Sequence, residues 1–194
     1  KEANPKEADG AKAADTSAAE SGSAQAGETG AAVKANGKYK ITLVVKNLTN
    51  PMWIAVQEGA EKAAAEAGVD LTVLAPATAD SNEEQISLIE QSIAKGTDAL
   101  VVIPADSVGI VPAVEAANSA GIPLIDVNTK IDTSGGCRIE TFIAVENYTA
   151  AVSVAEKLVE MLDQKGDVII LEGKAGAQSS VDIVAGANDT FAKY

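Results

Sequence analysis

Eight consecutive residues, Lys46-Asn47-Leu48-Thr49-Asn50-Pro51-Met52-Trp53, bring together an ammonium group, two carboxamides, a hydroxyl and an indole ring. Carboxamides both donate and accept hydrogen bonds, an ammonium donates, and an aromatic face covers ring C–H groups. The mixture therefore suits a small, hydroxyl-rich ligand such as a sugar or polyol. Each residue also has a purely structural alternative: Asn50 as a helix cap, Trp53 as a core side chain, Lys46 as a solvated cation.

Other chemistries find little material. The chain has no histidine, which removes Ser-His-Asp and Cys-His nucleophile systems and the commonest metal ligand. Cys137 is the only cysteine, so neither a disulfide framework nor a cysteine-based zinc site can form within the chain. A small buried hydrophobe describes it better than a reactive thiol. Asp126 and Asp132 invite comparison with a metal or phospho-acceptor site, but no second acidic residue closes the first predicted strand. Gly173-Lys174-Ala175-Gly176 has the spacing of neither a phosphate-binding P-loop nor a dinucleotide fingerprint, and reads as a strand-to-helix turn. No catalytic residue, metal ligand or cofactor is expected. A net charge of −13 over 194 residues argues against nucleic acid and anionic membrane surfaces as partners.

The elements that must position Lys46 to Trp53 can be read from hydrophobic periodicity. Ile41 to Val45 is a continuous β-branched and apolar run, the pattern of a strand buried on both faces. Asn50 caps a helix from Pro51 to Ala67, with proline in its first turn and Gly68 at its stop. Leu71 to Leu74 is a second strand. Ser81-Asn82-Glu83-Glu84 forms a capping box for a helix carrying Ile86, Ile89 and Ile93 on one face. Strands Ala99 to Ile103 and Pro123 to Val127 flank a helix from Ser107 to Ala120, with Pro112 in its early turns. A short strand at Phe142 to Val145, a helix from Asn147 to Leu162, a strand at Val168 to Leu171 and a helix from Ser179 or Ser180 follow. Alternation of this kind predicts a doubly wound α/β fold on a parallel sheet, with ligands at the carboxyl ends of the strands. The loops there are 46–53, 75–80, 104–107, 128–132 and 173–180.

Residues 1–37 differ in kind: they are Ala, Gly, Ser, Glu, Lys, Asp and Thr almost throughout, with no aromatic. Such a segment buries too little apolar surface to offset its ordering entropy, so disorder is expected. No apolar run has the roughly 18 residues of a membrane span. Because the chain begins at Lys1 rather than Met, it reads as a processed protein or a fragment.

Several spaced motifs resemble the type I periplasmic solute-binding proteins of the ribose- and galactose-binding group. They are Asn50-Pro51 before Met52-Trp53, Gly59-Ala60-Glu61-Lys62-Ala63-Ala64, Ile103-Pro104-Ala105-Asp106-Ser107, Gly121-Ile122-Pro123 leading to Asp126-Val127-Asn128, and Glu146-Asn147-Tyr148. The resemblance implies a two-lobed hinge protein outside the cytoplasm that closes on a monosaccharide and delivers it to an ABC-transporter permease. It implies ligand contacts from Lys46, Asn50, Met52, Trp53 and Asn128, with Trp53 stacking on the ring. It also divides the chain into a tether at 1–37, resembling that of a lipid-anchored lipoprotein, a first lobe at 38–146 and the incomplete beginning of a second at 147–194. Completing both lobes takes on the order of 100 further residues. Two departures argue against ribose: Asn128-Thr129 stands where ribose binders commonly carry Asp-Arg, and Ile183 replaces the arginine of an Arg-x-x-Gly segment. A sugar-sensing receptor of the same fold is the alternative role, and an α/β enzyme a more remote one.

Overall fold

Parallel strands need crossover connections, and the first three here are helices, each followed by a glycine. The computed structural model describes residues 39–194, so the expected tether at 1–37 lies outside the described residues. Strands β1 (Lys40–Val44), β2 (Asp70–Leu74), β3 (Ala99–Val102), β4 (Leu124–Val127) and β5 (Thr141–Ile143) form one parallel sheet in the order β2-β1-β3-β4-β5. The expected doubly wound α/β architecture is therefore present. Helices α1 (Pro51–Ala67), α2 (Asn82–Ala94) and α3 (Val111–Ser119) make the first three crossovers, and residues 128–140 join β4 to β5 without a helix. Gly68, Gly96 and Gly121 follow them with φ of 69°, 76° and 70°, a left-handed turn that releases each helix into the next strand.

Both faces of the sheet are covered. Leu43 and Val45 point to one side, where they pack with Trp53 and Ile103 beneath α1. Val44 points to the other, joining Leu100, Val102 and Leu124 against Ile89 of α2 and Val114 of α3. Alternate residues of one strand thus serve two cores, which explains the unbroken apolar run in the sequence. Cys137 lies in the second of these cores, buried as expected of a small hydrophobe.

Two elements differ from expectation. The third helix starts at Val111 rather than Ser107, because Asp106 Oδ1 accepts from the amides of Val108 at 3.0 Å and Gly109 at 2.7 Å. Those bonds hold the chain in a turn until Pro112, whose missing N–H costs nothing in a first helical turn. The strand expected at Val168 to Leu171 does not form. The segment has no strand neighbour among the described residues, and Ile169 and Leu171 are 85% and 93% exposed. The remaining helices, α4 (Asn147–Met161) and α5 (Gln178–Phe191), pack against each other.

Candidate functional site

In a sheet of this order the direction of winding reverses between β1 and β3, leaving a crevice beyond their carboxyl ends. Gln85 fixes those ends. Its buried carboxamide donates from Nε2 to the carbonyls of Val45 at 3.0 Å and Ile103 at 2.9 Å, and Oε1 accepts from the Ala105 amide at 2.8 Å. One side chain thereby satisfies three backbone groups that the ending ladder leaves open.

The loop after β1 is organised by Asn47. Its Oδ1 accepts from the amides of Thr49 and Asn50 and from the Thr49 hydroxyl, while Nδ2 donates to Asp80 Oδ1 at 3.0 Å. Asn50 then caps α1, its Oδ1 accepting from the Met52 amide at 2.9 Å. Across the loop, Ser81 caps α2 by accepting from the Glu84 amide. Glu84 does not complete the expected box; its carboxylate instead accepts from the amides of Ala77 and Thr78, tying down the loop after β2.

A cleft of about 460 Å³ opens above these loops. Lys46, Asn50 and Trp53 line it from the β1 side, Asp80 from the β2 side, and Lys174, Ser179 and Ser180 from the α5 side. Trp53 is 6% exposed, so most of its indole packs against Leu43, Val45 and Ile103 while the remainder reaches the cleft. The Lys46 ammonium lies 5.6 Å from the Trp53 ring centre and donates to Thr129 Oγ1 at 2.7 Å. Burial pushes the Lys46 pKa below its ordinary value; Lys174 adds to that shift, and the carboxylates of Asp80 and Asp126 oppose it. Thr129 Oγ1 is also 3.0 Å from Ser179 Oγ, which links the end of β4 to α5.

The α5 side is held by further bonds. The Ser107 amide donates to the Gly176 carbonyl at 2.9 Å, the Gln178 amide to Ser107 Oγ at 3.0 Å, and the Lys174 ammonium to the Asp80 carbonyl. Behind them Asp126 is fully buried at the end of β4. One carboxylate oxygen accepts from the Ile131 amide at 2.8 Å, and the other has no partner among the described residues. Desolvation raises its pKa to about 7, against the pull of the Ile131 and Val127 amides and of Lys130 and Lys46.

Of the residues expected from sequence, Lys46, Asn50 and Trp53 meet in the cleft. Met52 is 51% exposed on the first turn of α1 and lies outside the lining, as does Asn128. Asn128 holds φ of 70°, and its side chain accepts from the Thr129 hydroxyl at 3.2 Å. Sequence reasoning singled out the loops at 75–80 and 173–180 without assigning Asp80, Lys174 or Ser179 within them. Among the described residues no group of three or more potential ligands could hold a metal ion, and no helix is long and apolar enough to cross a membrane.

Residues 41–194 match the family model described as periplasmic binding protein domain. The ribose import binding protein RbsB of Bacillus subtilis is 32% identical over 143 residues, covering 74% of this chain and 45% of that protein. The D-allose-binding periplasmic protein of Escherichia coli is 30% identical over 156 residues, covering 78% and 50% respectively. Among solved structures, an ABC transporter periplasmic solute binding protein from Actinobacillus succinogenes with bound D-allose superposes with a TM-score of 0.74. It is 35% identical, with 80% of this chain and 56% of that chain covered. The chain spans about half the length of the curated relatives it matches.

Proposed function

The chain belongs to the periplasmic binding protein domain family, and from that premise we propose that it captures a monosaccharide or related polyol for uptake by an ABC-type permease. The observation that carries the reading is the convergence of Lys46, Asn50 and Trp53 with Lys174 and Ser179 around one cleft at the β1–β3 switch point. Hydrogen-bonding groups surround an indole edge there, as a ring bearing hydroxyls requires. The names of the relatives, which bind ribose and allose, support the same ligand class.

In this reading Lys46 and Asn50 donate to ligand hydroxyls and the exposed part of Trp53 packs against the ring. Met52 and Asn128 take rim positions. The family is one of binding proteins, and the protein acts as such rather than as an enzyme. It works outside the cytoplasm, with 1–37 as a tether to a lipid anchor, 38–146 as the first lobe and 147–194 as the start of the second.

A panel of sugars, amino acids and nucleosides tests the proposal on the full-length protein by thermal shift. A ligand held only by the native state raises the melting point, by the equivalent of about 2.7 kcal/mol at one hundred times Kd. A response to one or more sugars is expected. Responses confined to amino acids or nucleosides would overturn the assignment.

A further inference from the structure

Residues 39–143 and residues 147–194 are joined by few direct bonds. The elements in substantial contact either lie within the first of these regions or are α4 against α5. Among the described residues, four hydrogen bonds cross from one region to the other, all of them to residues 174–179. Two involve Lys174 and Ser179, which line the ligand cleft. The other two both belong to Ser107.

Ser107 is buried in the loop after β3, and each of its polar groups is engaged. Its amide donates to the Gly176 carbonyl at 2.9 Å, and its Oγ accepts from the Gln178 amide at 3.0 Å. One residue thereby grips the turn before α5 on both sides. Its carbonyl accepts from the Asp132 amide at 2.9 Å, which ties the same point to the loop after β4. Gly176 fits this arrangement closely. Its φ is 85°, and a β-carbon there would lie 2.8 Å from Cγ of Asp106. Asp106 is not free to swing aside, because Oδ1 accepts from the amides of Val108 and Gly109. The turn seats on the β3 loop because residue 176 has no side chain. None of Asp106, Ser107, Gly176 and Gln178 lines the cleft of Lys46 and Trp53.

We infer that Ser107 and Gly176 form a clasp that holds the second lobe closed on the first, and so set ligand affinity from outside the ligand site. This rests on the two-lobed binding-protein reading and adds a pair of positioning residues to it. A ligand that binds only the closed arrangement has an apparent Kd equal to its intrinsic Kd divided by the closed fraction. The clasp raises that fraction through bonds between protein groups, so closure is not left to ligand contacts alone.

Small-angle X-ray scattering of the full-length protein, without added sugar, reads the closed fraction. Ser107→Ala and Gly176→Ala should each raise the radius of gyration above that of wild type, Gly176→Ala by more. Hydrogen exchange checks that both variants are folded. The Ser107 and Gln178 amides should exchange at least about tenfold faster in Gly176→Ala, while amides of β1 and β3 keep their wild-type rates. Calorimetry with ribose and D-allose, the sugars in the names of the relatives, then reads affinity. Kd should rise about three- to tenfold in Ser107→Ala, which leaves the Gln178 amide without its acceptor, and further in Gly176→Ala. Folded variants with the wild-type radius of gyration would overturn the inference and leave the sugar reading intact. A wild type that binds no sugar would overturn the sugar reading alone, since scattering tests the clasp without a ligand.

Discussion

Two regions of this chain have comparable apolar content and different fates. In the first, residues 40–143, every strand has a neighbour and the apolar side chains disappear: Val44, Leu100, Val102 and Leu124 are all 0% exposed. In the second, residues 147–194, two helices meet through small residues while Val154, Ile169 and Leu171 stay 70%, 85% and 93% exposed. The run Val168 to Leu171 is as β-branched as the strands of the first region. Strand formation, however, is a property of pairs, because a lone segment has no ladder to satisfy its amides. The difference teaches that intrinsic preference places a strand only where a partner receives it.

Truncation of matched apolar residues puts the largest number on this contrast. Leu100→Ala, at the centre of the sheet, should cost about 2–5 kcal/mol in urea unfolding, since it removes buried contacts and leaves a cavity. Ile169→Ala in the same chain should cost less than about 0.5 kcal/mol, as expected of an exposed site. An Ile169 cost approaching that of Leu100 would break the contrast, and would mean that the segment is covered in solution.

The second region is nevertheless specific where its helices touch. A β-carbon at Gly186 would come 2.5 Å from the Tyr148 carbonyl oxygen and 3.2 Å from the Ala151 β-carbon. Backbone cannot yield as a flexible side chain does, so Gly186→Ala should destabilise the α4–α5 pair by about 1–3 kcal/mol. Hydrogen exchange should show the loss confined to α4 and α5, with amides of β1 and β3 unchanged. Loss of protection in both regions would show them to be one cooperative unit.

The same division governs what could be read from sequence. Strand β1, helix α1 with its Asn50 cap, and the glycine stops were legible, because each signal is local and each partner is supplied by the next repeat. The meeting of Lys46, Asn50 and Trp53 followed from their spacing on one loop. Lys174 and Ser179 were not legible as site residues: they lie more than a hundred positions away, and long-range bonds such as those of Gly176 to Ser107 and Ser179 to Thr129 bring them over the β1 loop. Gln85 was hidden for another reason. A glutamine in a helix usually signals solvent, and here it is fully buried on three backbone groups.

Titration extends the comparison to charge. The first region buries a carboxyl, Asp126, whose pKa is raised to about 7 from an unfolded value of about 3.9. The ion pairs of the second, Lys157–Glu160 and Lys165–Asp163, lie at the surface and contribute little. Between the two Asp126 values the folded state holds a proton that the unfolded state releases. The Asp126 contribution to stability should therefore be fully present below about pH 4, fall as pH rises towards 7, and level off above it, by on the order of 1–3 kcal/mol in total. Asp126→Asn should flatten that slope in urea titrations, whereas Asp163→Asn should leave it in place.

Helix caps give the smallest and most local test. In the first region the N-cap residues Asn50 and Ser81 close the starts of α1 and α2 with their own side chains, while α3 starts without one; in the second, neither N-cap residue does so, and α5 uses the Ser107 hydroxyl for its Gln178 amide. Asn50→Ala should lower stability by about 1 kcal/mol through the lost bond to the Met52 amide. The reverse experiment suits α4, since the uncapped start of α3 has the buried Ile110 at its N-cap. Glu146 precedes α4 with extended dihedrals, φ −77° and ψ 92°, and is exposed, so Glu146→Ser can supply the missing acceptor without repacking. The gain should be about 0.5 kcal/mol, because the hydroxyl's bond is partly offset by loss of a carboxylate that favours a helix start. A gain seen as slower exchange at the first turn of α4 would mark that helix end as underspecified by its own sequence. No gain would mean that the α4 start already has its amides satisfied by water, and that capping contributes little to the difference between the two regions.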